Sequence, residues 1–296
     1  MNENQHYWAF CFYLIHRLME SSIRYLARSP IFEKEKAFST DFPVDHVEGA
    51  RRTNNEVDDR LVTVAEIKNS SQWKLDVHGF CLLHADTHLD RKDVYTKKKE
   101  IQNDYWYEIE AILHKNFPQY SRIEGFDLTV RKRDPDFPAV MRAYRPEYEQ
   151  PSSTAHSDYS QKGGFLALQH CFPGQDDYWK DKEFDMLKSL SVWRILAPTD
   201  DWPLALCDYT TIDPKEDIRL NDTIRRDLVG ECSLLHYNQA HRWYYFKNQG
   251  INDLIVFRNS NSHGKLPLGG FHAAVSNPNA KGAPRESVEV RVVAFY

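Results

Sequence analysis

The chain has 296 residues, 41% of them hydrophobic and 27% charged, with a net charge of −5 and a pI near 6.2. This composition supplies a full core and an ordinary surface for one large domain or two small ones. The acidic balance argues against a nucleic-acid-binding protein, which would carry a basic patch. Five scattered cysteines without a CxxC pair favour reduced thiols in an intracellular protein over a disulfide framework or a zinc knuckle.

The N-terminus carries an apolar run from Tyr7 to Ile15. The run is too short to span a bilayer. No Lys or Arg precedes it and no small-residue cleavage site follows, so it makes a poor signal peptide. We therefore expect residues 1–20 to be either a packed extension or a non-native one, with Met19 as the true start, and we expect the protein to be cytoplasmic.

Residues 21–296 are predicted to form a single domain, with a helical and extended layer to about residue 120 and a core after it. Residues 29–60 are charged and resemble an extended arm. The clearest helix covers residues 97–116, because five apolar residues repeat there at helical spacing. Two strand candidates precede it. These features lie at Leu61–Val64 and Asp76–Leu83 for the strands, and at Ile101, Tyr105, Ile109, Ile112 and Leu113 for the helix face.

After Phe126 the sequence changes to short apolar runs separated by Pro, Gly, Asn and Asp, which is typical of many short strands. A small helix is predicted at Lys182–Lys188. The fold class is therefore mainly β with flanking helices, built on a jelly-roll (cupin-like) core. The predicted strands are Phe126–Arg131, Phe165–His170, Ser191–Ala197, Leu204–Leu206, Ser233–Tyr237, Trp243–Phe246, Leu254–Phe257, Phe271–Val275 and Val288–Phe295.

Five residues of the predicted core have the pattern of a non-haem iron site. His156 and Asp158 lie two apart, so they point to the same face of a strand, and His272 can join them from another strand. Two imidazoles and one carboxylate on one face of Fe(II) leave positions open for a bidentate 2-oxo acid and O₂. Arg285 could then bind the far carboxylate of 2-oxoglutarate, with Ser287 as a hydrogen-bond donor. We assign no catalytic residue beyond the three metal ligands.

A His-x-Asp pair has little weight alone, because this chain has three of them. The other two begin at His84 and His88, whose i, i+4 spacing raises the alternative of a zinc site. No Glu follows His84 in the HExxH manner, so surface capping and hydrogen bonding are the better interpretation for both. Because His272 and the Arg-x-Ser pair follow it in the expected order, the third His-x-Asp pair, His156 and Asp158, is the one predicted to bind the metal.

The Arg285 strand poses a question of orientation. Its polar face continues through Glu289 and Arg291, while Val288, Val290 and Val292 line the other face. The polar face could look into the barrel with the valines on an outer helix layer, or a bulge could switch the faces.

Several longer sequence segments resemble those of a known family. They begin with Ser22–Leu26 and Leu75–Phe80 and include Val192–Pro198 with Asp201–Asp208, Gly230-Glu231 with Tyr237–Tyr245, Phe271-His272, and Arg285–Arg291. From residue 21 to 296 the chain resembles the fungal gibberellin-desaturase and aspergillic-acid hydroxylase-like family, which is similar to one component of the bacterial cephalosporin methoxylation system. Three positions depart from that family's pattern: Ser191 and Ile195 replace an Asn and a Pro, and Tyr159 replaces a Gln.

The resemblance implies a double-stranded β-helix and an Fe(II)- and 2-oxoglutarate-dependent oxygenase that hydroxylates or desaturates small secondary metabolites. It implies iron on His156, Asp158 and His272, the co-substrate on Arg285 and Ser287, and O₂ as second co-substrate. Substrate contacts are expected from the side chains of Tyr159, Trp193, Arg194 and Tyr245, although strand aromatics are more often core. A buried Arg194 could instead pair with Asp208 or Glu231.

Two other functions stay open on the same fold. One is a metal-dependent hydrolase or isomerase, against which the intact Arg285 and Ser287 argue. The other is a non-catalytic partner subunit of a biosynthetic complex, against which the intact metal ligands argue. We expect a small natural-product substrate, no nucleic-acid partner and no membrane span. Substrate identity, hydroxylation or desaturation, and oligomeric state stay open.

Overall fold

A computed structural model describes residues 18–139, 148–188, 194–195, 199–250 and 252–296, with backbone only for Lys188, Arg194 and Ile195. Its helices are α1 (Leu75–His78), α2 (Arg91–Thr96), α3 (Lys98–Asn116), α4 (Gln161–Cys171) and α5 (Asp176–Trp179), with 3₁₀ turns at Pro30–Glu33, Ser70–Gln72 and Tyr209–Thr211. Its strands are β1 (Leu18–Leu26), β2 (Ala37–Thr40), β3 (Val57–Glu66), β4 (Phe80–His84), β5 (Arg122–Lys132), β6 (His156–Ser157), β7 (Phe184–Lys188), β8 (Arg194–Ile195), β9 (Leu204–Cys207), β10 (Ile218–Ile224), β11 (Val229–Leu235), β12 (Trp243–Tyr245), β13 (Asp253–Asn261), β14 (His272–Ala274) and β15 (Glu286–Phe295).

The strands form two curled sheets, which confirms the predicted jelly-roll core. The large sheet has the order β1-β3-β12-β9-β14-β6-β11-β10-β2, and the small sheet has the order β4-β13-β7-β15-β5 with β8 beside β15. The large sheet curls until β1 meets the segment before β6, where Arg24 bridges Thr154. No helix in the described ranges is both long and apolar enough to cross a membrane.

The core lies between the sheets and beneath the long helix. Leu204 and Leu206 of the large sheet pack against Ile255 and Phe257 of the small sheet. On the outer face of the small sheet, the apolar side of α3 covers the valines of β15. The predicted helix is thereby confirmed. The polar face of β15 looks inward, and a bulge between Arg291 and Val292 comes only after it.

Two sequence predictions were wrong. Phe165–His170 is not a strand but part of α4, which begins where the Ser160 hydroxyl caps the Gly163 N–H at 2.9 Å. Lys182–Lys188 is not a helix, because Phe184–Lys188 forms β7 between β13 and β15. In both cases a short apolar run fits either period, and tertiary contacts decide. The turn of α1 also occupies the first half of the strand predicted at Asp76–Leu83.

The N-terminal layer contributes strands to the large sheet. β1 lies before the predicted extended arm of residues 29–60, whereas β2 and the first part of β3 fall within it. Pairing with β12 and β10 gives these charged segments their regular structure. Residues 1–17, with Cys11, lie outside the described residues, and the other four cysteines are free as expected.

Helix α4 depends on a glycine for its close approach to β11. A Cβ on Gly163 would lie 1.9 Å from the backbone oxygen of Glu231, whereas a Cβ on Gly164 would meet the side chains of Met186 and Ser260 at 2.8 and 2.9 Å. The backbone oxygen of Glu231 cannot move away from an added Cβ as easily as the side chains of Met186 and Ser260 can.

We predict that Gly163→Ala lowers the free energy of unfolding by about 2–3 kcal/mol through overpacking. Gly164→Ala is the matched control and should cost clearly less. Urea unfolding followed by circular dichroism measures both variants, and equal losses would contradict this account of the α4–β11 contact.

Candidate metal centre

The three predicted metal ligands converge on two neighbouring strands. His156 of β6 and His272 of β14 are direct cross-strand partners, and Asp158 follows β6. The Oδ1 atom of Asp158 lies 3.2 Å from Nε2 of His156 and 3.8 Å from Nε2 of His272. Among the residues that the structure describes, this is the one group of His, Cys, Asp or Glu with three ligand atoms within 4.8 Å of one another.

Hydrogen bonds to the backbone orient both imidazoles. His156 Nδ1 lies 2.7 Å from the carbonyl oxygen of Thr154, and His272 Nδ1 lies 2.9 Å from that of Gly270. A carbonyl oxygen only accepts, so each Nδ1 carries the proton and each Nε2 keeps its lone pair for a metal. This is the usual outer contact of a metal-binding histidine.

The donor set fits iron(II). Two neutral imidazoles and one carboxylate form the facial triad of non-haem iron oxygenases. Adjacent ligands placed about 2.1 Å from an octahedral ion stand about 3 Å apart. The separations of 3.2 and 3.8 Å around Asp158 are close to that spacing, so a small contraction would complete the coordination.

Close backbone contact fixes the segment that carries His272. A Cβ on Gly270 would lie 2.7 Å from the backbone oxygen of Gly79, so only glycine fits there. The hydroxyl of Ser157, between the other two ligands, donates to the carbonyl of Asn259 at 2.8 Å. Both ligand segments are therefore attached to β13 or its neighbours, which limits their movement.

Arg291 is a site residue that the sequence analysis missed. Its Nη2 and Nε lie 3.0 and 3.3 Å from Oδ2 of Asp158, and its Nη1 contacts Asp127 and Thr129. Burial alone would lower the pKa of Arg291, but the two carboxylates raise it well above its ordinary value. Because Oδ2 is engaged, Oδ1 is the oxygen that faces the histidines. The available sequence signal for Arg291 was its place on the polar face of β15, where every second residue from Arg285 onward is polar.

Arg285 and Ser287 lie buried at the start of β15, and neither has exposed surface. Arg285 donates from Nη1 to the carbonyl of Trp202, and its backbone N–H donates to Asp201 at 2.9 Å. Burial lowers the pKa of Arg285 well below its ordinary value, although the carboxylates of Glu289 and Asp201 oppose the shift. A ligand anion beside the guanidinium would further offset the cost of burying its charge. The Ser287 hydroxyl is buried without a hydrogen-bond partner in the described ranges, so a ligand oxygen would satisfy it.

A cavity of about 780 Å³ opens beside the metal ligands, with His156 in its wall. Leu234 of β11, the cross-strand partner of His156, continues this wall away from β14. Arg285 instead contacts Trp202, just before β9, on the other side of β14. The strand order therefore places the cavity and the Arg285–Ser287 pair on opposite sides of the two histidines.

The tentative substrate residues are less closely grouped. Tyr245 pairs with Ala205, and Tyr244 pairs with Leu206 in the row of His272, so Tyr245 lies on the face opposite the metal ligands. Tyr159 packs against the α4 cluster. Trp193 lies outside the described residues.

The backbone of Arg194 pairs with Val288 on β15. Its two suggested partners have other contacts: Glu231 binds Lys36 and Ser160, and Asp208 caps Thr210.

The early histidines do not form a metal site in the structure. His84 pairs with Asp253 at 2.9 Å, and His88 pairs with Glu108 at 2.7 Å. Their side chains are 73% and 91% exposed. Each has a separate carboxylate partner on the surface, as the hydrogen-bonding interpretation expected.

Comparison with known proteins gives the family. A family model described as "Oxidoreductase/YMDC permease-like domain" matches residues 23–295. The chain is 24% identical over 233 residues to the Fe(II)/2-oxoglutarate-dependent dioxygenase nvfI of Aspergillus novofumigatus, covering 75% of this chain and 78% of that protein. It is 23% identical over 262 residues to the hydroxylase/desaturase efuI of Hormonema carpetanum, covering 79% and 83%.

A solved structure has the same fold. The iron and alpha-ketoglutarate-dependent endoperoxidase NvfI matches with a TM-score of 0.77 at 20% identity, covering 94% of this chain and 98% of that chain.

We predict that Arg291→Gln weakens Fe(II) binding about tenfold or more, because loss of an outer partner typically costs 10–100-fold in metal affinity. Anaerobic Fe(II) titration measures this effect, and Arg291→Lys should recover part of the affinity. Arg122→Gln, which breaks a pair with Glu124 on the same small sheet, is the matched control. His84→Ala and His88→Ala should bind iron normally. Wild-type affinity in Arg291→Gln would contradict the role of this contact.

Proposed function

The chain belongs to the oxidoreductase/YMDC permease-like domain family, and we propose that it is an Fe(II)- and 2-oxoglutarate-dependent oxygenase. It would hydroxylate or desaturate an unactivated C–H bond of a small secondary-metabolite intermediate. The observation that carries the proposal is the convergence of His156, Asp158 and His272. The buried Arg285–Ser287 pair in the same core favours an oxygenase over a metal-dependent hydrolase.

The metal and its co-substrates have separate places in this proposal. Iron(II) would be held by the two Nε2 atoms and by Oδ1 of Asp158, and with 2-oxoglutarate and O₂ it supplies the oxidising power for C–H cleavage. Arg285 would bind the far carboxylate of 2-oxoglutarate with a charge-assisted hydrogen bond, and Ser287 would donate a second. Our assignment of these five residues rests on their geometry and on the donor chemistry.

The surrounding residues orient the proposed metal ligands and limit the access of water to them. Arg291, which also contacts Asp127 and Thr129, binds Oδ2 of Asp158 and so leaves Oδ1 directed toward the histidines. The backbone carbonyls keep both imidazole rings in one tautomer. His272 is 2% exposed and Ser287 is not exposed, so bulk water has little access to this end of the site. Exclusion of water confines the oxidation to the bound substrate.

The reaction type, the substrate contacts and the cellular location are part of the same proposal. The relatives support the oxygenase type, and the resemblance to gibberellin desaturases and aspergillic-acid hydroxylases suggests which chemistry to assay first. We keep Tyr159, Trp193 and Arg194 as candidates for substrate contact, and Tyr245 as a support of the sheet from its other face. We also propose a cytoplasmic location.

We predict that anaerobic addition of Fe(II) and then 2-oxoglutarate produces a weak visible charge-transfer band, because a bidentate 2-oxo acid on iron(II) absorbs there. Titration of each component gives its stoichiometry, with one equivalent of each at saturation. His272→Ala should remove the band. Iron-loaded wild-type protein without the band would contradict the oxygenase proposal and favour the hydrolase alternative.

We predict that Arg285→Ala weakens 2-oxoglutarate binding about 10–100-fold while iron affinity is kept. The reason is the loss of one charge-assisted hydrogen bond, about 1.5–3 kcal/mol. Separate titrations of iron and 2-oxoglutarate distinguish the two effects, with Arg122→Gln as the control. Loss of iron instead of 2-oxoglutarate would show that the role assigned to Arg285 is wrong.

A further inference from the structure

The cavity beside His156 has room for a drug-sized molecule. Its volume of about 780 Å³ falls within the range of about 300–1,000 Å³ that such ligands occupy. An amino acid would leave most of this space empty, and a folded protein could not enter it. The cavity therefore suits a molecule of several fused or linked rings, or an equally bulky chain.

The described wall of the cavity favours an uncharged ligand. Most of its residues are apolar or uncharged, and the thiol of Cys232, whose pKa burial raises to about 12, is neutral at physiological pH. The two wall residues that carry a full charge are already engaged or in water. Asp59 lies 3.6 Å from Nε of Arg24, and Glu56 is exposed to solvent. A charged substrate would lose its hydration here without a matching partner.

One polar atom of this wall has no hydrogen-bond partner. The side-chain amide N–H of Asn55 donates to Oδ1 of Asn221 at 2.7 Å. The other end of the Asn55 amide, its Oδ1 atom, is shielded from solvent and accepts no hydrogen bond within the described ranges. A buried carbonyl oxygen without a donor is costly. A ligand that brings an O–H or N–H group to this oxygen would remove that cost.

The neighbours of Asn55 set the orientation of its amide. Nδ2 of Asn221 donates to the carbonyl of Asp222 at 3.3 Å and lies 3.4 Å from Sγ of Cys232. Oδ1 of Asn221 therefore faces Asn55 and must accept, so Asn55 donates with Nδ2 and keeps Oδ1 as an acceptor. The backbone N–H of Asn55 donates to the hydroxyl of Thr53 at 3.0 Å, which holds the residue in place.

The strand order relates this acceptor to the metal ligands. Asn221 of β10 is opposite Cys232 of β11, and Leu234, two residues on, is opposite His156 of β6. Opposite residues share a face of the sheet, as do residues two apart, so these four side chains point the same way. Asn221 and His156 are two strand spacings apart, which is about 10 Å across the sheet. A ring system of drug size spans that distance.

From these observations we infer that the substrate is a drug-sized, mainly apolar and uncharged molecule with one hydroxyl or N–H group, which donates to Oδ1 of Asn55 so that the far end of the molecule faces the metal. This inference rests on the proposed function, because that proposal makes the ligand of the cavity the substrate. Asn55 is then a specificity-determining residue. It selects which end of the molecule lies at the metal, and the apolar wall supplies most of the affinity.

Three fluorescent probes that share one pyrene body test the inference. 1-Pyrenemethanol has an O–H donor, 1-(methoxymethyl)pyrene keeps the oxygen without the donor, and pyrene-1-carboxylate carries an acid instead. The full-length chain should bind one equivalent of the alcohol about fivefold more tightly than the ether, which is the effect of one neutral hydrogen bond. The carboxylate should bind more weakly than the alcohol, because its charge would lose hydration.

Variants of Asn55 separate the acceptor from the rest of the wall. Asn55→Leu should bind the alcohol and the ether equally, whereas Asn55→Asp keeps an acceptor oxygen and should keep the preference for the alcohol. Thr223→Trp, which fills the cavity, should weaken the binding of both probes. Asn116→Leu changes an exposed asparagine at the end of α3 and should bind each probe as the wild type does.

Paramagnetic broadening tests the orientation of the bound molecule. With Mn(II) on the metal ligands, the proton signals of 1-pyrenemethanol should broaden most at the ring edge far from the alcohol and least at its CH₂ group. The opposite order would contradict the orientation that we infer. Absence of Mn(II) binding would instead contradict the metal centre.

Other results would overturn the inference as a whole. They are equal affinity of the wild type for the alcohol and the ether, tighter binding of the carboxylate, an unchanged preference in Asn55→Leu, or binding of many equivalents. If Asn55→Leu does not fold, the comparison of alcohol and ether on the wild type and on Asn55→Asp still tests the acceptor. Probe affinity needs no iron and the charge-transfer band needs no probe, so a failure here is distinguishable from a failure of the proposed function.

Discussion

The site depends on one cross-strand pair, His156 opposite His272. The two residues are distant in sequence, and their strands are very short, with one residue pair joining β6 to β14. Such a brief contact cannot set its own register. The register comes from the neighbours: β11 beside β6, β9 beside β14, and the close backbone approach at Gly270. The sheets thus act as a frame that brings two weakly held strands into one relative position.

Charge is the second constraint on the site. The inward face of β15, together with Arg285 just before it, places three charged residues and a hydroxyl in the core, where an isolated charge would be costly. Arg131 pairs with Glu289, and Arg291 joins Asp127 to Asp158. Asp158, a candidate metal ligand, thereby lies at one end of a largely buried series of ion pairs. The outward valines give the same strand its attachment to α3, so one strand connects the hydrophobic core to the polar site.

The sequence could predict the parts of the candidate site that have strong local signals, but not those that tertiary contacts decide. The ligand order, the Arg285–Ser287 pair and the α3 face follow from spacing alone. The identity of α4 and β7 did not, because their short apolar runs fit a helix or a strand equally well, and neighbouring strands made the choice. Arg291 was visible as part of a polar face, but its contact with Asp158 needs the fold. Tyr245 shows the limit of composition: its neighbour Tyr244, not Tyr245, shares the face of His272.

The strand order has a consequence for divergence within the family. Much of the cavity wall comes from β1, β10 and β11. The proposed co-substrate pair lies instead at the start of β15, where Arg285 contacts Trp202 just before β9, on the other side of the two histidines in the strand order. Mutations can therefore reshape the cavity while the candidate metal and co-substrate residues stay unchanged. With such a separation, substrate specificity can diverge during evolution while the capacity for oxidation is kept. The endoperoxidase with the same fold at 20% identity and the hydroxylase/desaturase at 23% identity carry different names, which fits that freedom to diverge.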